Sequence, residues 1–165
     1  PQPGRRGNAD DHRRRRGFGE RFDCHRDAPR DFRHGLADEH DHILAVDRTD
    51  DGAVRWYVRM RGDDKEFTTV WLTLGQRTLR YETYVMPAPE ENDAELYEHL
   101  LRRNDRLVGA HFSIGLEDAI FLRGEMPVGQ VTHDELDRVL GTLYADVEQC
   151  FQSLLRIGFR SRFTP

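Results

Sequence analysis

The chain has 165 residues, 37% of them apolar and 33% charged, with a formal net charge of −5; this length holds one domain around one modest core. No run approaches the ~18 consecutive apolar residues of a membrane span, and no apolar stretch near the start reads as a secretory signal. Two cysteines, Cys24 and Cys150, cannot build a disulfide scaffold, so the expectation is a cytoplasmic protein outside the membrane-spanning and disulfide-stapled classes.

Charge divides the chain. Residues 1–34 carry ten Arg and six acidic residues, a net of +4, whereas residues 35–165 carry fifteen basic and twenty-four acidic residues, a net of −9. The first 38 residues contain one Leu, Leu36, and neither Ile nor Val. Such a stretch cannot bury enough apolar surface to offset its ordering entropy, so residues 1–38 are expected to be a flexible Arg-rich segment and residues 39–165 the folded domain. Within it, Arg13-Arg14-Arg15-Arg16 suits either a solvated tail or a phosphate-seeking arm.

Strand patterning begins near residue 41. His42–Asp47 is short and β-prone, and Thr49-Asp50-Asp51-Gly52 is a hairpin signal. From Val54 to Arg61, Val54, Trp56, Val58 and Met60 alternate with Arg55, Tyr57, Arg59 and Arg61. After a turn at Gly62-Asp63-Asp64-Lys65, Phe67–Leu74 sets Val70, Leu72 and Leu74 against Phe67, Thr69, Trp71 and Thr73. Gly75-Gln76-Arg77 turns again into Leu79–Met86, where Leu79, Tyr81, Thr83 and Val85 oppose Arg80, Glu82, Tyr84 and Met86. Four strands joined by short turns predict an antiparallel meander with one buried face.

Met86-Pro87-Ala88-Pro89 ends that sheet, because proline cannot continue a central ladder. Asn92 or Asp93 then caps a helix with Ala94, Leu96, Tyr97, Leu100 and Leu101 on its apolar side, fading near Asn104-Asp105. Ala110–Ile114 and Ala119–Leu122 flank Gly115-Leu116-Glu117-Asp118 as a second hairpin, closed by Gly124-Glu125-Met126-Pro127. Thr132-His133-Asp134-Glu135 reads as a capping box. It opens a helix whose apolar stripe runs from Leu136 to Leu155, with Gly158 placed to end it. The fold class is therefore α+β: an antiparallel meander plus hairpin, with helices packed on one face. No internal repeat is visible.

Motifs for chemistry are weak. His111-Phe112-Ser113-Ile114-Gly115 lacks the first glycine of a nucleophile elbow and precedes a hairpin, where the elbow needs a helix. His40-Asp41-His42, with Cys24, His25 and His34 upstream, has metal-ligating residue types, but the upstream ones fall on the expected flexible segment. Glu117-Asp118 and Asp134-Glu135-Asp137 fit a turn and a helix N-terminus better than an acid/base pair. No phosphate-binding glycine loop, dinucleotide fingerprint or Cys-x-x-Cys occurs. The reading assigns no catalytic residue, no cofactor and no metal.

One constellation stands out. If the helices cover the Val58/Leu72/Val85 face, the opposite face presents Tyr57, Arg59, Phe67, Trp71, Arg80 and Tyr84. Aromatics interleaved with arginine suit a protein partner. The same mixture could stack nucleotide bases, which makes a nucleic-acid or nucleotide binder the alternative. The net charge of −9 from residue 35 onward weighs against that alternative, because phosphate contacts supply most such affinity.

Three stretches carry a family resemblance: LRYETYVMPAPEENDAELYEHLLRRNDRL (Leu79–Leu107), DAIFLRGEMP (Asp118–Pro127) and THDELDRVLGTLYADVEQCF (Thr132–Phe151). They resemble the actinobacterial branch of the YbjN-domain family, which carries the label of a sensory transduction regulator and is similar in fold to the type III secretion chaperones. The resemblance covers roughly Val54 to Phe159. It implies a non-enzymatic, chaperone-like or regulatory domain that is often a homodimer and receives another protein's segment. The family normally places an amphipathic helix before the first strand, and residues 1–38 lack the apolar stripe for one.

Overall fold

The computed structural model describes residues 41–49 and 54–163. The Arg13–Arg16 run, the boundary at residue 38, Cys24, His25, His34, His40 and the Asp51-Gly52 turn lie outside them. Four strands form the expected meander: β1 (Ile43–Thr49), β2 (Arg55–Arg61), β3 (Phe67–Leu74) and β4 (Thr78–Met86). Helix α1 (Asp93–Asn104) follows, then β5 (His111–Ile114), β6 (Ile120–Pro127), the long helix α2 (His133–Gly158) and a last turn of helix, α3 (Arg160–Phe163). All strand pairs are antiparallel, in the order β1-β2-β3-β4-β6-β5. The second hairpin thus extends the meander's own sheet, because α1 carries the chain past the place where β6 returns beside β4.

Strand β6 is longer than its sequence suggests. Gly124 interrupts the alternation, yet Ile120, Leu122 and Met126 are buried on one face and β6 pairs with β4 from Ile120 to Pro127, with a bulge in β4 between Tyr84 and Met86. A side chain at Gly124 would collide with the Gly109 carbonyl and the Tyr81 ring. The Tyr81 hydroxyl donates to that same carbonyl at 2.6 Å, and Gly109 itself has φ +78°, a conformation open chiefly to glycine.

Val58, Met60, Val70, Leu72, Val85 and Leu122 form the centre of the inner face, each at most 2% exposed. Helix α2 covers them with Leu143, Val147, Cys150 and Leu154, on a stripe that its 26 residues extend over about 39 Å. Thr132 Oγ1 accepts from Glu135 N as expected, but the Glu135 carboxylate turns forward to Arg138, 2.9 Å from its Nε. Only half the capping box forms, because a charged partner one turn on outcompetes a backbone N–H.

The other end of α2 falls at Gly158 as expected, but by different means. Gly158 does not take a left-handed cap conformation; it admits close packing, since a Cβ there would sit 3.0 Å from Pro89. The carbonyl ends of α2 are met by the segment leading into α1: Glu90 N and Glu91 N donate to Gly158 O at 2.9 and 3.2 Å. Asn92, at φ +54°, does not cap α1 through its side chain; its Nδ2 donates to Ile157 O at 3.0 Å. These contacts satisfy orphan carbonyls of one helix with the approach to another.

Two polar clamps fix the sheet's periphery. The Glu148 carboxylate of α2 accepts from three successive backbone N–H groups of the β2–β3 turn, Asp63 at 2.7 Å, Asp64 at 2.9 Å and Lys65 at 3.2 Å. At the β5 edge, Asn104 reads the main chain of Phe112 on both sides: Phe112 N donates to Oδ1 at 2.7 Å and Nδ2 donates to Phe112 O at 3.2 Å. The first clamp makes a prediction. Charge-assisted hydrogen bonds contribute about 1.5–3 kcal/mol each when shielded, less in this partly exposed turn. Glu148→Ala should therefore cost about 2 kcal/mol, read as a lower urea midpoint, while Gln149→Ala on the exposed side should leave it unchanged.

Candidate functional site

The sheet face opposite the helices is built from the odd-numbered residues of β2 and β3 and the even-numbered residues of β4 up to Tyr84. Met86, expected beside them, is instead buried in the core because the bulge after Tyr84 turns it toward α2. Six residues expected to share it do so: Tyr57, Arg59, Phe67, Trp71, Arg80 and Tyr84 are all on this side, half-buried or exposed. Register brings Tyr57 directly opposite Trp71, with ring centroids 5.4 Å apart and a 52° tilt. Arg59 folds its guanidinium over Phe67 at 4.3 Å, a geometry in which the cation meets the ring's negative face. Tyr84 is 42% exposed.

Sequence reasoning missed the contribution of β6. Phe121, Arg123 and Glu125 continue the same face, because β6 pairs with β4 at Tyr84–Phe121, Glu82–Arg123 and Arg80–Glu125. Phe121 meets Tyr84 edge-on at 5.7 Å. Arg123 lies 4.4 Å over Phe121 and donates from Nε to Glu82 at 2.8 Å. The available signal was the alternation of Ile120, Leu122 and Met126, which Gly124 obscures.

Lys65 borders this face. Its Nζ donates to the Tyr84 carbonyl oxygen and lies 5.2 Å over the Tyr84 ring and 5.6 Å over that of Phe151. Burial lowers its pKa to about 8, against an opposing pull from Cys150 and Glu148. Burial also raises the Tyr84 phenol, with Glu117 adding to the effect.

The remaining motif residues sit apart from this face or at its rim. His111 is exposed at the start of β5, opposite Arg123. Ser113 leads into a single 3₁₀ turn (Leu116–Asp118) and then β6, so the strand-to-helix elbow is not formed. Glu117 and Asp118 occupy that turn at φ +56° and +54°. Asp134, Glu135 and Asp137 lie in the first turns of α2, and His133 is its first residue. The His42 ring packs 4.9 Å from that of Tyr144 on α2. Among the described residues no helix is long and apolar enough to cross a membrane.

The face therefore offers a broad amphipathic surface: aromatic area for desolvation and guanidinium groups for charge-assisted hydrogen bonds. Comparison with known proteins agrees with the resemblance seen in the sequence. The chain is 37% identical over 111 residues to an uncharacterized protein of Mycobacterium leprae, covering 67% of this chain and 60% of that one. It is 38% identical over 104 residues to an uncharacterized protein of Mycobacterium tuberculosis strain H37Rv, covering 63% of this chain and 57% of that one. The matched region thus spans less than two thirds of these relatives' length. Among solved structures it is similar to the heterodimeric ExoU-SpcU complex from the type III secretion system of Pseudomonas aeruginosa, at 13% identity and a TM-score of 0.47, covering 59% of this chain and 81% of that one. It is also similar to the ExsC-ExsE complex, at 20% identity and a TM-score of 0.48, covering 67% and 80%. Residues 35–156 match the YbjN family, described as "Putative bacterial sensory transduction regulator", and over that span the chain belongs to this family.

Proposed function

We propose that residues 39–165 act as a non-enzymatic protein-interaction module, of chaperone-like or regulatory type, that receives a segment of another protein on the outer face of the sheet. The observation that carries this reading is the run of contacting side chains Tyr57/Trp71, Arg59/Phe67 and Tyr84/Phe121 on the sheet face opposite the helices. Large, stiff aromatic side chains cost little entropy on binding, and tryptophan, tyrosine and arginine are the residues that dominate interface energetics. Trp71, Arg80 and their neighbours are the proposed contact set. Self-association through the same face would make a second copy the partner.

Partner capture by the cross-linked full chain tests this. Truncation of a central tryptophan costs about 2 kcal/mol or more at a binding hot spot, equivalent to roughly thirtyfold in affinity. Trp71→Ala and Arg80→Glu should each lose the partner while their melting temperatures stay close to that of the parent. Capture retained by both folded variants would place the binding face elsewhere. Light scattering on the same proteins identifies a second copy as the partner if Trp71→Ala converts a dimer to a monomer.

A further inference from the structure

We infer that the outer face selects an extended acidic segment, with two carboxylates four residues apart on one side of the strand, flanking an apolar side chain on that same side. This rests on the protein-binding reading above and specifies the chemistry of the ligand.

The inference starts from charge placement. Residues 35–165 carry a net charge of −9, yet the register puts five arginines on this face, Arg55, Arg59, Arg61, Arg80 and Arg123, against three carboxylates, Asp47, Glu82 and Glu125. Arg123 is held by Glu82. On the helices and C-terminal turn Arg102, Arg138, Arg160 and Arg162 are likewise paired with glutamates. Among the described residues, Arg59, Arg61 and Arg80 have no ion-pair partner, as is also true of Arg103, Arg106 and Arg156 away from this face. Arg80 stands across from Glu125 without bonding to it. An acidic domain thus carries an excess of arginine, five against three carboxylates, on the sheet face where its aromatic surface is exposed.

The geometry sets the spacing. Arg59 on β2 pairs in register with Thr69 and Arg80 on β4 with Thr73, both on β3. Trp71 lies midway between those two residues on the intervening strand. Two strand spacings of ~4.8 Å and four residues of ~3.3 Å place Arg59 and Arg80 about 16 Å apart on a diagonal through Trp71. In an extended chain the same-face positions i, i+2 and i+4 span ~13 Å, and the flexible arginine side chains make up the difference. A segment with an acidic group near each end and an apolar group at its centre would meet Arg59, Trp71 and Arg80 together. A basic segment would face like charges at both ends, which gives the face its discrimination.

The test is selection of a displayed library of random 12-residue peptides on the immobilised full chain. Fluorescence anisotropy of the enriched peptides follows, with the parent, Trp71→Ala, and the Arg59→Glu/Arg80→Glu double variant. Acidic sequences with an intervening apolar residue should be enriched, lose tenfold or more in affinity to each variant, and be replaced by basic sequences when the double variant is the bait. Enrichment of neutral or basic peptides that depend on Trp71 but not on the arginines would overturn this inference and leave the protein-binding face intact. Peptides that bind Trp71→Ala as well as the parent, or no enrichment at all, would overturn the face itself. A 12-nucleotide single-stranded DNA that outcompetes every peptide and requires Arg59 and Arg80 would assign the arginines to phosphate instead.

Discussion

Gly124→Ala is expected to be the most damaging single-methyl substitution in the domain. The added Cβ would lie closer than 3.0 Å to both the Gly109 carbonyl oxygen and the Tyr81 ring. Neither neighbour can yield freely. Gly109 is backbone at φ +78°, and Tyr81 is 3% exposed and tied to Gly109 O by its hydroxyl. Overpacking in a tight core costs about 1–3 kcal/mol and more where backbone must move, so a loss of about 3 kcal/mol is expected. Gly141→Ala supplies the contrast, because nothing lies within 4 Å of the new methyl on the exposed side of α2. Relief of a mid-helix glycine should stabilise by about 0.5–1 kcal/mol. Denaturant midpoints shifting in opposite directions would confirm the pair; equal shifts would mean that the Gly109 loop is free to move.

Lys65→Met should make the protein more stable at neutral pH. Burial holds the amine's pKa near 8 in the folded chain, against 10.5 in the unfolded one. Below pH 8 both states are protonated and the folded state carries the full cost of a desolvated ammonium. Between pH 8 and pH 10.5 the unfolded chain binds more protons than the folded one, so stability rises with pH across that window. A shift of this size corresponds to at most about 3 kcal/mol, and partial exposure of the turn lowers it to about 2 kcal/mol. The rise should be cut off above pH 10, where the phenols of Tyr81, Tyr84 and Tyr144, each raised by burial, keep their protons folded and lose them unfolded. Methionine fills similar volume without charge and gives up one hydrogen bond to Tyr84 O. It should therefore gain about 1 kcal/mol at pH 7 and lose the rise between pH 8 and pH 10. A variant less stable than the parent at pH 7, with the rise intact, would show that the ammonium is a net stabiliser over the two rings.

The parts that were legible in the sequence are those where burial enforces a period. Trp56, Val58 and Met60 on β2 and Leu79, Tyr81 and Val85 on β4 declare both the strands and the face turned inward, since a one-residue slip would expose them all. Placing Tyr57, Trp71, Arg80 and Tyr84 together needed no more than the opposite parity. Misreadings arose where a residue answers to a distant part of the chain. Gly158 does end its helix as read, but its missing side chain serves to make room for Pro89 and not to form a left-handed cap. Asn92 reads as a cap, but its amide serves Ile157. Glu148 carries no signal in its local sequence, yet it organises a turn 83 to 85 residues earlier. No local pattern encodes such pairings.

Asn104 has a consequence for polymerisation. Open-ended growth by strand addition requires two adhesive edges on every unit, so that each newcomer presents a fresh one. Here the amide of Asn104 mimics a neighbouring strand at Phe112 and occupies both backbone hydrogen-bonding groups of that residue of β5. The other border of the sheet is β1. One carboxamide at the end of a helix therefore acts as a plug on the β5 edge, where an incoming strand would have to displace it to pair with Phe112.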